Sequence, residues 1–289
     1  DSGAVTPLVE QPGVDSAPHF SPDGRQVAFT GQGGQPEPVG LNDVYVIPVS
    51  GGTPQKLAET PNRSSNLEGW HDNDAVLISE PVRTSSHLFA VPTSGAAPRQ
   101  LTEGDGLHST IALAANENQM AYTYENTDTP PNLYVTGLDT YERRQLTTLH
   151  EDVPMPPMGR TEVLTWTAPD GTEVEGLITY PIGYEDDDRV PLILSVHGGP
   201  AGVYSRSFTG GPGIYMTQVF AQQGYAVLRP NPRGSTGYGK AFRYANVEDW
   251  GDGDYEDLMA SVDLMIERDV AHPDSLALIG WSYGGYMTS

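Results

Sequence analysis

Hydrophobic and polar residues alternate in short runs through the first half of the chain, which is typical of half-buried β-strands. Three of these runs share an alternating segment, a polar turn and an ending that contains Gln and Leu. Their sequences are NDVYVIPVSGGTPQKLAE from Asn42, SHLFAVPTSGAAPRQLTE from Ser86 and PNLYVTGLDTYERRQLTT from Pro131. Each has one aromatic residue at the same place, and these lie 44 and 45 positions apart: Tyr45, Phe89 and Tyr134. The first half of the chain is therefore a repeat.

A second β-rich run precedes each of these three segments. It follows a polar turn in SPDGRQVAFT from Ser21, HDNDAVLISE from His71 and AANENQMAYTYE from Ala114. Its matching residues lie 49 and 44 positions apart: Phe29, Ile78 and Tyr122. Four short strands in a period of about 40–50 residues are typical of β-propeller blades, whereas a β-sandwich gives no reason for a matched period. The sequence predicts a partial β-propeller of about three blades, and because a ring needs roughly 4–8 blades, we expect others before Asp1.

The pattern changes after a proline-rich segment, HEDVPMPPMGR, at residues 150–160. A β-hairpin is predicted next, in TEVLTWTAPDGTEVEGLITYP, and VPLILSV then has the continuous apolar character of a strand buried on both faces. Helices are predicted over 212–223, with Pro212 at the start, and over DYEDLMASVDLMIERD, and strands over YAVLRPNPRG and SLALIG. The second helix has its apolar stripe at Tyr255, Leu258, Val262, Met265 and Ile266. Alternating strands and helices indicate an α/β sheet. We therefore expect blades in residues 1–152 and an α/β domain in 153–289.

The last predicted strand leads directly into GWSYG, residues 280–284, which fits the Gly-x-Ser-x-Gly turn of hydrolases. This motif is informative only where a strand precedes it and a helix follows it. SLALIG supplies the strand, and YGGYMTS has the residues to begin the helix. Gly280 and Gly284 leave space where the strand and the helix approach each other. The sequence therefore predicts an α/β-hydrolase domain with Ser282 as its nucleophile.

A second motif, HGGP at residues 197–200, follows the preceding buried strand. In the α/β-hydrolase fold this position provides a second hydrogen-bond donor to the oxyanion of the tetrahedral intermediate. Glycine allows a backbone N–H group to approach a developing oxyanion closely. We predict that the oxyanion hole consists of the backbone N–H groups of Tyr283 and Gly199.

The amino-acid composition excludes several classes of binding partner. The chain has 38 acidic and 15 basic side chains, a net charge of −23, which argues against nucleic acid and anionic membranes. It has no cysteine, so disulfides, thiolate catalysis and cysteine-ligated zinc are excluded. No cofactor, metal or membrane-spanning segment is expected, and a homo-oligomer is left open. The acidity fits a salt-rich environment or ordinary solubility. We expect a cytoplasmic protein, with a removed signal peptide and a periplasmic or secreted location as alternatives.

One further stretch, GSTGYGKA at residues 234–241, has the spacing of a phosphate-binding loop. However, Ala241 stands where Ser or Thr would bind magnesium, and no helix is predicted to begin at Lys240. The sequence therefore does not predict a nucleotide-binding site at this stretch.

Together, HGGP, NPRGSTGYGKAF and GWSYGGYM, in that order behind repeats that contain SPDGR, resemble the prolyl oligopeptidase family of serine peptidases. The acylaminoacyl-peptidase and dipeptidyl-aminopeptidase branch is the most similar. The resemblance implies a propeller that covers an α/β-hydrolase domain, short peptides as substrates, Ser282 as nucleophile and Tyr283 as an oxyanion donor. It also implies that the turn at 197–199 flanks the oxyanion hole. By the same resemblance, residues 234–241 form a loop beside the active site, where a structural role for Arg233 is favoured over contact with substrate. His197 stands where some members have a tyrosine, which favours an oxyanion hole made of backbone groups.

The other two members of a catalytic triad are not evident in the sequence. In this fold the acid and then the histidine follow the serine along the chain. Seven residues follow Ser282, none of them acidic or histidine, while His197 and His272 precede it. We therefore expect a fragment, cut after the nucleophile turn and inactive by itself. There are two alternatives to the peptidase: an esterase of the same fold, and a propeller binding protein with an inactive hydrolase domain. The sequence does not distinguish a blocked from a free amino terminus in the substrate.

Overall fold

The computed structural model describes residues 3–34, 39–114, 118–186, 188–211 and 213–289. Its first half consists of short strands that pair in three antiparallel sets of four. The strands β1 to β12 are Asp15–Phe20, Gln26–Gly31, Asp43–Pro48, Gln55–Lys56, Asn66–Trp70, Ala75–Val82, Ser85–Pro92, Arg99–Gln100, Leu107–Leu113, Gln119–Glu125, Asn132–Gly137 and Arg144–Gln145. Strands β1–β4, β5–β8 and β9–β12 form the sets, which we call units 1, 2 and 3. Each unit corresponds to one predicted repeat.

The sequence repeat is reproduced in the strand register. The two matching residues of each repeat lie directly opposite each other on the second and third strands of their unit, and all six are buried: Phe29 and Tyr45, Ile78 and Phe89, Tyr122 and Tyr134. Units 2 and 3 also meet at one parallel pair, Ser86 with Leu107, so that their strands form one open sheet. The prediction of four strands per repeat is confirmed, and neither sheet of the first half closes into a ring.

Alternation along the strands of unit 2 divides its side chains between two cores. Val76 and Ile78 pack against residues of unit 1, whereas Leu77 between them packs against residues of unit 3. Side chains of successive residues in a strand point to opposite faces, so unit 2 is covered on both faces. The units are thus stacked face to face, and burial of their apolar faces stabilises the stack.

The second half is a five-stranded mixed sheet with short helices. Its elements are β13 Thr161–Thr167, β14 Glu173–Thr179, β15 Val190–Val196, α1 Thr217–Gln222, β16 Ala226–Asn231, α2 Gly239–Tyr244, α3 Gly253–Glu267, β17 Ala271–Gly280 and α4 Tyr283–Met287. The strand order is β13-β14-β16-β15-β17, with β16, β15 and β17 parallel. One apolar core lies between this sheet and α3. At the end of the sheet β17 pairs only with β15 within the described residues, and its Leu276 and Leu278 are about half exposed.

Several predicted elements differ in detail. Helix α1 begins at Thr217 rather than at 212, because the glycines at 210, 211 and 213 are poor helix formers; Pro212 itself lies outside the described residues. Strand β17 begins at Ala271, four residues before SLALIG, and its edge position tolerates Pro273. In α3, Leu258, Val262 and Met265 are buried as predicted, but Tyr255 is 48% exposed. The prediction that no helix begins at Lys240 was also wrong, since α2 begins one residue earlier, at Gly239.

The turn between β6 and β7 connects the two halves of the molecule. The Arg83 backbone N–H donates to the Gly237 carbonyl at 2.8 Å, and its Nε donates to Glu175 at 2.7 Å. The neighbouring Thr84 carbonyl accepts from the Arg206 backbone N–H at 2.7 Å. This turn therefore contacts both the loop after β15 and the loop after β16. Among the described helices, none has the length and apolar character needed to span a bilayer.

Candidate active site

Ser282 lies on a sharp turn between β17 and α4, with φ 57° and ψ −118°. A non-glycine residue rarely adopts this left-handed conformation, which stores strain and exposes the side chain. The turn is closed by hydrogen bonds from the Gly284 N–H to the Trp281 carbonyl and from the Tyr286 N–H to the Ser282 carbonyl, at 2.9 and 3.1 Å. The local geometry is that of a nucleophile turn, and the strand and helix that were predicted around it are confirmed.

Both predicted glycines are required by close backbone approaches. A Cβ atom on Gly280 would overlap the carbonyl oxygen of Gly284, and one on Gly284 would overlap the carbonyl oxygen of Val196. Val196 is the last residue of β15, the strand beside β17. The glycines therefore let α4 lie directly against the ends of two parallel strands, which fixes the position of Ser282.

The turn at 197–200 lies beside Ser282. A Cβ atom on Gly198 would stand 3.3 Å from the Ser282 Cβ and 3.9 Å from its Oγ. Gly199, the next residue, has φ +132°, a conformation that favours glycine. Within the described part of the chain, the backbone N–H groups of Gly199 and Tyr283 have no hydrogen-bond acceptor. The two predicted oxyanion donors are thus free to bind a ligand oxygen.

His197 is buried and belongs to the structure of this turn. Its Nδ1 lies 2.8 Å from the Gly198 carbonyl oxygen and its Nε2 lies 3.0 Å from the Ser235 Oγ. Burial lowers the pKa of His197 from 6.5 to about 4, so the ring is neutral near pH 7. With both ring nitrogens occupied and no hydrogen bond to Ser282, His197 does not serve as the base, as the sequence predicted.

The depressed pKa of His197 predicts a specific acid sensitivity. Between about pH 6.5 and 4 the unfolded chain protonates this ring and the folded protein does not, so the free energy of unfolding falls as the pH falls. The contribution should be on the order of 3 kcal/mol, lost over that window. Urea unfolding at pH 7, 5 and 4 should show a weaker pH dependence for His197→Gln than for the wild type, whereas the exposed His272→Gln should match the wild type. Equal pH dependence in all three would contradict the assignment.

The Tyr283 side chain is held by a buried carboxylate. Its hydroxyl donates to Asp254, a fully buried residue that also accepts from the Gly251 backbone N–H at 2.8 Å. The Tyr283 ring packs edge-on against Trp250, with 5.6 Å between ring centroids. Burial, and next the hydrogen bond to Asp254, raise the pKa of Tyr283. Asp254 therefore orients the residue whose backbone N–H is the predicted oxyanion donor.

Arg233 has the structural role that was expected of it. Its Nε and Nη2 bind both carboxylate oxygens of Asp257 at 3.0 and 2.7 Å, and its Nη1 binds Asp170 at 2.8 Å. The hydrogen bond to Asp257 raises the pKa of Arg233, and the hydrogen bond from Arg233 lowers that of Asp170. Asp254 and Asp257 are both buried near the start of α3, and each has a specific hydrogen-bond partner, Tyr283 and Arg233 respectively.

The stretch at 234–241 resembles a phosphate-binding loop in outline, because a strand precedes it and α2 begins at Gly239. However, its backbone N–H groups already have acceptors within the protein. The amides of Gly234, Thr236 and Gly239 donate to Phe242, Gly202 and Asn62 respectively. These amides are therefore not available to a phosphate, and the loop supports the turn at 197–202 instead.

A cavity of about 420 Å³ opens beside Gly199. Its walls include Pro200, Arg243, Asn246 and Trp250. This is room for a few residues of an extended peptide beside Gly199. No acidic or histidine side chain in the described part of the chain hydrogen-bonds to Ser282.

Comparison with known proteins agrees with this geometry. Residues 214–289 match the sequence model of the prolyl oligopeptidase family. A probable dipeptidyl-peptidase 5 from Emericella nidulans is 27% identical over 288 residues, which are 96% of this chain and 39% of that protein. The Bacillus subtilis peptidase YuxL is 36% identical over 183 residues, which are 63% of this chain and 27% of that protein. The chain thus spans less than half the length of these relatives.

Solved structures share the fold. The acylaminoacyl peptidase of Pyrococcus horikoshii matches 92% of this chain and 41% of its own, with a TM-score of 0.76 and 22% identity. A puromycin-hydrolyzing peptidase of Mycobacterium tuberculosis matches 100% of this chain and 53% of its own, with a TM-score of 0.70 and 20% identity. The resemblance to the prolyl oligopeptidase family of serine peptidases that the sequence predicted is therefore confirmed, and the family's sequence pattern lies in residues 214–289.

Proposed function

We propose that a protein of the relatives' length containing this chain, called the full-length protein below, is a serine peptidase that cleaves short peptides. The observation that carries the proposal is the left-handed Ser282 at the end of β17, next to the glycine turn at 197–199. Relatives named as peptidases over most of this chain favour peptides as the substrate class. The same relatives leave both a free and a blocked amino terminus open.

The reaction proceeds through an acyl-enzyme. The Ser282 Oγ attacks the scissile carbonyl carbon while a base outside the 289 residues accepts its proton. The carbonyl oxygen becomes an oxyanion that accepts hydrogen bonds from the Tyr283 and Gly199 N–H groups, each worth roughly 3–4 kcal/mol. The leaving amine takes the proton, and water then attacks the ester, releasing the peptide acid and restoring Ser282. Asp254 acts as a positioning residue, because it holds the Tyr283 side chain.

The two halves have different roles in this proposal. Units 1–3, within residues 1–152, are blades of a propeller, and 153–289 are the first part of an α/β-hydrolase domain. The face-to-face stacking of the units and their four strands each support the propeller assignment. The contacts of Thr84 with the loop after β15 and of Arg83 with the loop after β16 support a position of the blades over the candidate active site. A propeller at this position restricts access to the serine.

Restricted access predicts a limit on substrate size. The full-length protein should cleave peptides of a few residues and spare intact proteins, because a propeller over the site would leave only a narrow route to Ser282. Rates on a series of peptides of increasing length and on casein would measure this limit. Rapid digestion of casein would contradict the gating role of the propeller.

A base outside the 289 residues, as proposed here, predicts the behaviour of the 289-residue chain by itself. We expect it to hydrolyse no peptide or activated ester faster than its own Ser282→Ala variant. The exposed apolar edge at Leu276 and Leu278 should also make it prone to aggregation. Turnover by a soluble, cooperatively melting chain that depends on Ser282 would mean that one of these 289 residues is the base.

Two other functions make different predictions. An esterase of the same fold should hydrolyse activated esters at least as well as peptides, in a way that depends equally on Ser282. A propeller binding protein with an inactive hydrolase domain should lack a histidine or acid after Ser282 in the full-length sequence. Peptide cleavage that depends on Ser282 would exclude the inactive binding protein. If the same protein cleaves peptides faster than activated esters, the esterase is excluded as well.

A further inference from the structure

A cavity of about 290 Å³ lies where units 2 and 3 meet the loop after β15. The loop contributes Val203 and Ser205, a few residues after the turn at 197–200, and the two units contribute the rest of the wall. Two of the described lining residues are acidic, Glu68 and Glu80, and none is lysine or arginine. The wall of this cavity therefore has negative charge without a counterion of its own.

Neither carboxylate has a cationic partner close by. Glu68, partly buried on β5, accepts a hydrogen bond from the Ser79 hydroxyl at 2.6 Å. Glu80 is 1% exposed and accepts from the Asn62 backbone N–H at 3.1 Å. Burial raises the pKa of both glutamates, and no lysine or arginine of the described residues counteracts it. Because a carboxylate removed from water is costly without a compensating cation, a cationic ligand is favoured here.

Several other polar groups of the wall add acceptors rather than donors. His108, 3% exposed, donates from Nδ1 to the Ser86 carbonyl oxygen at 2.9 Å, which leaves Nε2 as an acceptor without a partner in the described part of the chain. Burial lowers the pKa of His108 to about 4, so the ring is neutral near pH 7. The hydroxyl hydrogens of Ser79 and Ser86 are already donated, to Glu68 and to the His108 carbonyl. A ligand that fits this wall therefore supplies hydrogen-bond donors.

A basic side chain has the required chemistry. Lysine and arginine head groups have donors and no acceptor, and their methylene stems can pack on the apolar residues of the wall, Pro81, Leu107 and Val203. The amino terminus of a peptide is less suited, because its ammonium is one carbon away from a carbonyl group, which is a further acceptor. A metal ion is not supported, since among the described residues no group of three or more His, Asp or Glu side chains is arranged to hold one.

The cavity is within reach of a short peptide bound at the candidate active site. Gly199 is the candidate oxyanion donor, and Val203 lines the cavity. Four residues of chain span at most about 14 Å, so these two positions are no farther apart than that. A peptide whose scissile carbonyl lies at Gly199 can therefore place a residue a few positions away in the cavity.

We propose that this cavity binds a basic side chain, lysine or arginine, of the peptide substrate, and that Glu68 is the specificity-determining residue. The Glu68 carboxylate accepts a hydrogen bond from the cationic head group, while Glu80 and the free His108 Nε2 favour positive charge nearby. The inference rests on the proposed function, because it assigns the cavity to a substrate of the same site.

Peptide kinetics with the full-length protein test the preference. Short peptides of one length, with an acetylated amino terminus, would contain lysine, ε-acetyl-lysine or norleucine at each position in turn. At one position the lysine peptide should have a kcat/KM about tenfold higher than the other two, mainly through a lower KM, as expected for a hydrogen bond to a charged group. Salt at about 0.5 M screens the general attraction of a chain of net charge −23 for cationic peptides.

Substitution of Glu68 locates the effect. Glu68→Gln should reduce the ratio of the lysine to the norleucine kcat/KM to about one. Glu10→Gln, at an exposed glutamate before unit 1, should keep the wild-type ratio. If Glu68→Gln does not fold, the ε-acetyl-lysine peptide decides the same question with the wild-type protein, because it removes the charge from the ligand instead.

Three results would overturn the proposal: equal kcat/KM for lysine and norleucine at every position, a lysine preference that survives Glu68→Gln, or a Glu68-dependent preference for a free amino terminus without one for lysine. In each case cleavage that depends on Ser282 would leave the peptidase proposal standing. If no peptide is cleaved, the peptidase proposal fails. Calorimetric binding of the lysine and norleucine peptides to the full-length protein then decides between an about tenfold preference for lysine and none.

Discussion

Replacement of Ser282 by alanine in the full-length protein is expected to lower kcat/KM for a short peptide by at least ~10³-fold. The hydroxyl is the only group at the turn that can form the acyl-enzyme, so the remaining rate comes from the oxyanion donors and from binding. Stability should change little, because alanine tolerates φ 57° about as well as serine and the Ser282 side chain makes no hydrogen bond in the described residues. Steady-state kinetics and thermal melting measure the two effects.

Ser289→Ala is the matched control for this substitution. Ser289 is an exposed serine just after α4, and its hydroxyl donates to the Gly285 carbonyl at 3.0 Å. Its replacement should leave kcat and KM unchanged. Undiminished peptide turnover by Ser282→Ala would show that another residue attacks the substrate.

Replacement of Gly284 by alanine should damage both the fold and the activity. The added methyl group overlaps the Val196 carbonyl oxygen, so α4 must move away from the end of β15. Overpacking of this kind costs about 1–3 kcal/mol. A displacement of Ser282 by about 1 Å would reduce kcat roughly 10²-fold. Chemical denaturation and kinetics on the full-length protein would record both losses.

The neighbouring Gly285 offers a strict comparison in the same helix. The nearest atom to an added Cβ there is the Gly280 carbonyl oxygen at 3.8 Å, an ordinary van der Waals distance. Gly285→Ala should therefore preserve activity and stabilise the helix by up to about 1 kcal/mol. Equal effects of the two substitutions would mean that the close approach at Gly284 does not position the serine.

The elements that local sequence predicts well are those determined by local contacts. Alternation determines which side chains of a strand are buried, so the repeats at Phe29 and Tyr45 could be aligned before the register was known. The turn at Ser282 was also predictable, because its two glycines and its flanking strand and helix are contiguous in the chain. Both predictions agree with the structure because they depend on residues that are close together in the chain.

Residues that depend on distant partners were not predictable in the same way. Asp254 and Asp257 have the ordinary sequence of a helix N-terminus, yet their burial depends on Tyr283 and Arg233, 29 and 24 positions away. Arg229 lies in a strand that otherwise looks apolar, and only the packing of Tyr204 over it shows that its charge is buried. No periodicity of hydrophobic residues encodes these pairs.

Helix α2 illustrates a second reason why an element was not predicted from the sequence. Six residues, GKAFRY, are too few for a periodic pattern to emerge, and isolated helices of this length are unstable. The segment is held by tertiary contacts, for example from the Gly239 N–H to Asn62 of unit 2 at 2.6 Å. Those contacts come from the other half of the molecule and are invisible in the local sequence.

Covalent labelling of the full-length protein tests the assignment of the nucleophile most directly. A fluorophosphonate probe reacts with a serine only when that serine is activated by a base and its adduct is held by oxyanion donors. Peptide mapping by mass spectrometry after labelling should locate the probe on Ser282 alone, with no labelling of Ser282→Ala or of the heat-denatured protein. Labelling of a different residue, or equal labelling of Ser282→Ala, would contradict the assignment of Ser282 as the nucleophile.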